Sequence, residues 1–461
     1  MATQYDVIVI GGGLSGAQCA ADLKSKGVNV LLIEARDRFG GRTESIKVED
    51  YWFDLGGQWM GGTHNILKKV CNELRIESFP QYDEGNHILE LNNKHTLYKG
   101  NISTLNTDYN LEGLESTIAI IDKMAEELDA SKPYDHPRAK EWDNITLANW
   151  IRDNVKGSDA VKILNWFCKV CLAGEPTEIS FLWYLLFIKA AGGYGVLADI
   201  RGGAQQDRLI GGSQQISERL VRERVGNFLL NCKVVGIHQD NAGVTVLIEG
   251  GQRFRAKFVA NTIPPALAGR IDYKPALPAS RDSLTQRMPM GSVIKTIVIY
   301  DEPFWRRDGF SAEALSEHGP IFICYDDSSH DDKANAIVGF IAGQDAREWS
   351  EKTPEVRKQA VLECYARWFG PRALKPKYYL EKDWKTDEFA RGAYLAFAQP
   401  GTLTACGKSL REPVGRMHFA GTETATQWIG YMEGALESGL RCSKELQSRL
   451  QQDQQSYNSK L

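Results

Sequence analysis

The chain has 461 residues, 43% of them apolar and 25% charged, with a net charge of -4 and nine cysteines. That length is more than one hydrophobic core usually serves, so two intertwined domains of an ordinary globular protein are expected. Lysine and arginine are spread along the whole chain, which leaves no electrostatic footprint for nucleic acid or an anionic membrane and makes small-molecule chemistry the expectation.

The polar start Met1-Ala2-Thr3-Gln4 carries no basic region, apolar region or cleavage site, so secretion is not expected. Nine scattered cysteines, an odd number, suit reduced thiols in an intracellular compartment. Residues 5–10 form a continuous β-branched run, the pattern of a parallel strand buried on both faces. Gly11, Gly13 and Gly16 follow at once in a G-x-G-x-x-G spacing with Ser15 inside it, then a helix over 17–26 and a second strand over 28–33 ending on Glu34. The strand before, the helix after and the acid eighteen residues beyond Gly16 make this a dinucleotide-binding fingerprint. The glycines let backbone approach a pyrophosphate, the helix N-terminus offers it free N–H groups, and Glu34 accepts the adenosine ribose hydroxyls.

A region of about 120 residues, rich in helical pattern and aromatics, then reads as an inserted domain. Within it Cys168 and Cys171 form a C-x-x-C on a predicted helix. No thioredoxin-like unit and no second ligand pair accompany them, so two buried thiols are expected and no metal site. Residues 179–191 are too short for a membrane span and include Lys189, which reads as a buried helix. The pattern Gly193-x-Gly195-x-x-Ala198 follows a helical run rather than a strand, so no second nucleotide domain is apparent. Strands are predicted over 228–237, 244–249 and 254–261, then over 293–300 at the start of a strand-rich stretch to about 385. A strand over 417–420 and a helix over 434–449 close the fold, and a Gln- and Ser-rich stretch ends in Ser459-Lys460-Leu461. That tripeptide is the peroxisomal address, which implies an import receptor as partner and a peroxisomal location, otherwise a cytoplasmic one.

The half-site alone does not choose between NAD and FAD. The run from Ala35 through Arg36 to Gly40-Gly41-Arg42, and Asp54-Leu55-Gly56-Gly57-Gln58-Trp59 after it, resemble the second and third FAD motifs of the flavin-containing amine oxidase family. The resemblance runs from about residue 6 to about residue 445. It is densest at Val293-Ile294-Lys295 with Pro303-Phe304-Trp305, at Trp384 with Gly392-Ala393-Tyr394, and from Phe419 through Glu423 and Trp428 to Gly430-Tyr431-Met432. The last of these is nearly the signature of the family's monoamine oxidases. It implies an α/β amine-oxidase architecture: a Rossmann-like, discontinuous FAD-binding domain over 1–79, 207–284 and 386–450, an inserted α+β substrate domain over 80–206 and 285–385, and a disordered tail over 451–461.

Residue by residue, the resemblance implies Tyr394 and Tyr431 as two walls of an aromatic cage before the flavin, and Lys295 as the cation that holds a water against it and assists oxygen. FAD would be bound by Gly11, Gly13, Ser15, Gly16, Glu34, Arg36, Arg42, Gly57, Gln58, Val234, Trp384, Glu423, Tyr431 and Met432. Gln205, Cys171, Val170 and Phe340 resemble pocket positions. Ala393 stands where covalent relatives carry the flavin-linked cysteine, so FAD is expected to be non-covalent, and the membrane anchoring of those relatives does not transfer.

The expected reaction is oxidation of a small primary amine by dioxygen, giving aldehyde, ammonia and hydrogen peroxide. Two relatives on the same fold stay open. A polyamine oxidase wants carboxylates along its channel, and an L-amino-acid oxidase wants an arginine clamp, for which Arg201 and Arg208 are the candidates. A non-catalytic FAD scaffold is the contrasting class, and retention of Lys295 and both tyrosines argues against it. A homodimer is a further open expectation.

Overall fold

The computed structural model describes residues 4–100, 102 and 109–458. The described strands form two large sheets and two small ones. Across the eight-stranded sheet run Phe228–Leu229, Val30–Ile33, Gln4–Ile10, Arg253–Asn261, Gly243–Ile248, Val234–Asp240 and Asp272–Lys274, with Met417–Phe419 paired to the end of Arg253–Asn261. Gln4–Ile10 is parallel to both neighbours, Val7 lying opposite Val30 on one side and Phe258 on the other. Its apolar run follows the period of two that a strand imposes: Val7 and Val9 enter the core shared with the helix Leu14–Ser25, while Ile8 and Ile10 enter the core under the opposite face. That helix packs on the long helix Met432–Asn458, closely enough that a Cβ at Gly439 would lie 2.4 Å from the Ser15 carbonyl oxygen.

The seven-stranded sheet runs Tyr378–Asp383, Val293–Tyr300, Asn335–Ala342, Ile323–Asp326, Phe310–Ser316, Asn86–Leu91, Lys94–Tyr98. Val293–Tyr300 is buried throughout, with Ile294, Val298 and Tyr300 packed toward the helix Pro354–Phe369 and Val293, Ile297 and Ile299 on the other face. Lys295 is an odd position too. The alternation therefore puts its amine on the face away from the helix. A helical layer of Leu114–Glu126, Leu147–Asn154, Ser158–Leu172 and Phe181–Ala191 builds a third core. Phe181–Ala191 is apolar on nearly every side, starts where Ser180 Oγ accepts from the Trp183 amide at 3.3 Å, and stops at Gly192 with φ of 90°. Among the described residues no helix is long and apolar enough to cross a membrane.

Several expectations change. The run 228–237 is two strands, Phe228–Leu229 and Val234–Asp240, because the chain leaves the extended conformation at Asn231, where φ is 57°, a conformation asparagine tolerates. The stretch 293–385 contains the helices Gly343–Ser350 and Pro354–Phe369 as well as strands. The last helix reaches Asn458, so residues 451–458, expected in a disordered tail, are helical. Glutamine is a good helix former, and the Arg416–Asp453 ion pair at 3.0 Å ties the final turns to the body. Ser459, Lys460 and Leu461 lie outside the described residues. Cys168 and Cys171 are free, buried thiols on Ser158–Leu172.

Candidate active site

A cavity of about 520 Å³ is bounded by both large sheets and the helical layer. At one end lies the fingerprint. A Cβ at Gly16 would come within 2.0 Å of the Gly11 carbonyl oxygen, and one at Gly11 within 2.6 Å of Thr262 Oγ1, so strand and helix approach as they do only because both side chains are absent. Gly13 caps the helix Leu14–Ser25 without a side-chain bond, and an added Cβ there would meet nothing closer than the Gly40 carbonyl at 3.6 Å. The open space before this N-terminus is where phosphate oxygens fit. Glu34 accepts from the Gly12 amide at 2.6 Å and from the Arg36 amide at 2.8 Å, which fixes its carboxylate at the cavity wall while each oxygen keeps a free lone pair. Arg36 pairs with Asp387, and Val234 lines the same end.

Midway, Gly57, Gln58, Trp384 and Met432 line the cavity, and a Cβ at Gly57 would meet nothing within 3.8 Å. Trp384 is held by a bond from its indole N–H to the Leu55 carbonyl at 2.9 Å. Arg42 donates to Glu423 Oε1 at 2.6 Å and to the Tyr394 carbonyl at 2.9 Å, and Glu423 accepts from the Ala396 amide at 3.0 Å. Burial alone would raise the Glu423 carboxyl; the Arg42 guanidinium and these bonds hold it below the usual carboxylate range. Arg42 at the Tyr394 carbonyl and Glu423 at the Ala396 amide thus hold this stretch of backbone, in which the Ala393–Tyr394 peptide is cis. The glycine cradle, the uncapped helix end, the acid at the second strand and these cations are a donor set that fits FAD.

At the other end stand Tyr394 and Tyr431. Tyr431 is braced by Trp428 at 5.0 Å, His64 at 5.8 Å and Phe187 at 6.2 Å between ring centroids. Burial pushes both phenols up, so both stay neutral. His64 accepts the Gly61 amide on Nδ1 at 2.9 Å, and burial followed by the Lys68 charge brings it down to about 3, so it too is neutral. Phe340 faces Tyr394 at 6.3 Å, and Trp59 packs on Phe340 at 5.9 Å and on Tyr325 at 5.5 Å. Val170, Cys171 and Gln205 complete this end. Gln205 Oε1 is buried without a hydrogen-bond partner. Lys295 reaches the same space, its amine 5.8 Å from the Trp59 ring and 5.7 Å from that of Phe340.

The structure brings the predicted site residues to this one cavity, except two that stand behind it. Gly16 packs against Gly11, and Glu423 sits behind Arg42. Arg201 is paired to Asp83 at 2.7 Å on the surface, and Arg208 is buried against Asp327 at 2.8 Å, so neither candidate clamp faces the pocket. Trp59, Ile323 and Tyr325 are wall residues that sequence reasoning did not assign. Trp59 ends a motif already singled out; Ile323 and Tyr325 are two apart on one strand, a spacing that shows only once the strand's face is known.

Residues 14–447 match the family described as flavin containing amine oxidoreductase. The chain is 61% identical, over the whole of both chains, to the "Probable flavin-containing monoamine oxidase A" of Dictyostelium discoideum, and 35% identical to "Amine oxidase [flavin-containing] B" of Sus scrofa over 97% of this chain and 86% of that one. Cyclohexylamine oxidase from Brevibacterium oxydans superposes with a TM-score of 0.92 at 31% identity, covering 97% of this chain and all of the other, and putrescine oxidase bound to putrescine gives the same score and identity over 97% and 99%. With a cradle for FAD, an aromatic cage and a match along nearly its whole length, the chain belongs to the flavin-containing amine oxidoreductase family.

Proposed function

We propose that this flavin-containing amine oxidase acts on a small, apolar primary monoamine, with FAD held non-covalently. Bound FAD supplies the two-electron oxidation that, with dioxygen and water, turns the amine into aldehyde, ammonia and hydrogen peroxide. The protein's share is position and field. Tyr394 and Tyr431 present two neutral electron-rich faces that align the amine nitrogen. Gln205 Oε1, buried and unpartnered, accepts an amine N–H. Lys295 places its positive charge where electron density arrives on oxygen.

The observation that carries the substrate reading is the chemistry of the amine end. Its walls are Trp59, Val170, Cys171, Gln205, Tyr325 and Phe340; the acids lining the whole cavity, Glu34 and Glu388, belong to the stretch shared with Arg36 and Lys233. A diamine such as putrescine needs an anion for its distal ammonium, and an amino acid needs a free arginine. Among the described residues neither is on this wall, so the pocket favours a substrate of the cyclohexylamine kind.

Ala393 lines the cavity with a methyl group and offers no sulfur for a covalent bond. We further propose peroxisomal import through Ser459-Lys460-Leu461, which a fluorescent fusion with and without the tripeptide tests. The primary experiment is anaerobic reduction of the yellow protein by benzylamine, cyclohexylamine, spermidine and an L-amino acid, followed by air. Bleaching by the first two with recovery and peroxide is expected; bleaching by spermidine or the amino acid alone would overturn the monoamine reading. Acid precipitation should release the flavin to the supernatant, and a yellow pellet would contradict non-covalent binding.

A further inference from the structure

We propose that Asp327 is a positioning residue for Lys295, acting through Gln58: it decides which end of the Gln58 amide meets the ammonium and so keeps that ammonium charged at the cavity wall.

The three side chains form one buried line. The Lys295 amine donates to the Gly56 carbonyl at 2.9 Å and to Gln58 Oε1. Gln58 Nε2 donates to Asp327 Oδ1 at 3.1 Å. Arg208 stands behind, 2.8 Å from Asp327 Oδ1, and is itself pinned by the Ser328 carbonyl at 2.8 Å and the Asp327 carbonyl at 3.1 Å. Gln58, Asp327 and Lys295 are 1%, 0% and 3% exposed, so the links between them are shielded from bulk solvent. A carboxylate only accepts, so the amide must turn its NH2 toward Asp327, and its oxygen is then left for Lys295. An asparagine in place of Asp327 could donate as well as accept, the Gln58 amide could flip, and an NH2 group would face the ammonium. Asp327 Oδ2 is buried without a hydrogen-bond partner, so the hydrogen bond from Gln58 and the Arg208 ion pair both fall on Oδ1.

The electrostatics agree. Burial pushes Lys295 down to about 8, while Asp327 and Asp54 favour its charge and Arg208 opposes it. Around it, Trp59 and Phe340 are uncharged rings, Lys382 opposite in register is turned to Glu44 and Asp387, and neighbouring Asp326 faces away to Arg306 and Trp305. Asp327 is therefore the anion linked to Lys295 by hydrogen bonds, whereas Asp54 is occupied by Ser45 and Ser213.

The inference rests on the reading of Lys295 as the cation that serves oxygen. The test titrates Lys295 itself, in holoenzyme carrying lysine labelled with carbon-13 at Cε, with the resonance identified by its loss in Lys295→Met. The wild-type midpoint is expected near 8, and both Asp327→Asn and Gln58→Met should lower it by about one unit or more. The pH at which flavin reoxidation falls should move by the same amount. An unmoved midpoint in either variant overturns the proposal. If Asp327→Asn does not fold, Gln58→Met, which leaves the Asp327–Arg208 pair intact, decides alone by the same criterion. Reoxidation unchanged in Lys295→Met would instead refute the oxygen role of Lys295, a separate result from the titration.

Discussion

At the scale of single residues, burial sets the pH behaviour. Lys295 is charged below about 8 and neutral above it, because desolvation disfavours the ammonium more than Asp327 and Asp54 restore it. Reoxidation of the reduced enzyme should therefore slow as pH rises through 8, as stopped-flow mixing with oxygen would record. Stability has its own sign. The unfolded lysine keeps its ordinary higher value, so the unfolded chain binds more protons from about 8 upward, and wild type should gain Tm relative to Lys295→Met over that window. Tyr394 and Tyr431 act through their faces, so Tyr394→Leu or Tyr431→Leu should lower kcat/KM about tenfold, from a contribution of about 1–2 kcal/mol per face, while phenylalanine keeps most of it. The burial of Lys295 was legible in its apolar strand neighbours Val293, Ile294, Ile297 and Val298. Its tie to Asp327 was not, since Gln58 and Asp327 are 269 positions apart and nothing local pairs them.

Among the elements, the βαβ unit is the most demanding. Gly16→Ala puts a methyl into the Gly11 carbonyl, and either strand or helix must move. Destabilisation of several kcal/mol and a colourless purified protein are expected, read by thermal unfolding and the flavin absorbance. Ser180 both caps Phe181–Ala191 and donates to Asp143 Oδ1 at 2.7 Å inside the core. Ser180→Ala should cost about 2 kcal/mol, since it also takes the donor from Asp143 Oδ1 while Thr404 keeps Oδ2, and a drop in Tm with unchanged flavin content would confirm it. Element type was readable where periodicity and punctuation agreed, as at residues 5–10 and around Gly192. It failed at Asn231, where an ordinary-looking residue turns the chain, and at 451–458, where a polar composition suited to disorder is held as helix by Asp453 reaching Arg416.

For the whole molecule, the cavity joins parts that otherwise have separate cores: the fingerprint belongs to one sheet, Lys295 and Phe340 to the other, and Cys171 to the helical layer. A cofactor filling it ties them together, so apoprotein should unfold at lower temperature and saturating FAD should restore about 4 kcal/mol at a thousandfold excess over Kd. Scanning fluorimetry with and without added FAD measures this, and no rise on FAD addition would refute it. The sequence by itself determined the dinucleotide half-site, because its spacing is dictated by backbone geometry, whereas the family and the cage tyrosines followed from the resemblance of longer runs to the flavin-containing amine oxidases. Tertiary structure alone decided what meets what. It turned Arg201 and Arg208 away from the pocket, set Glu423 behind Arg42, brought Ile323, Tyr325 and Trp59 into the wall, and aligned Lys295, Gln58, Asp327 and Arg208. The reason is that charge pairing and desolvation depend on distances through space, and strands far apart in the chain set those distances.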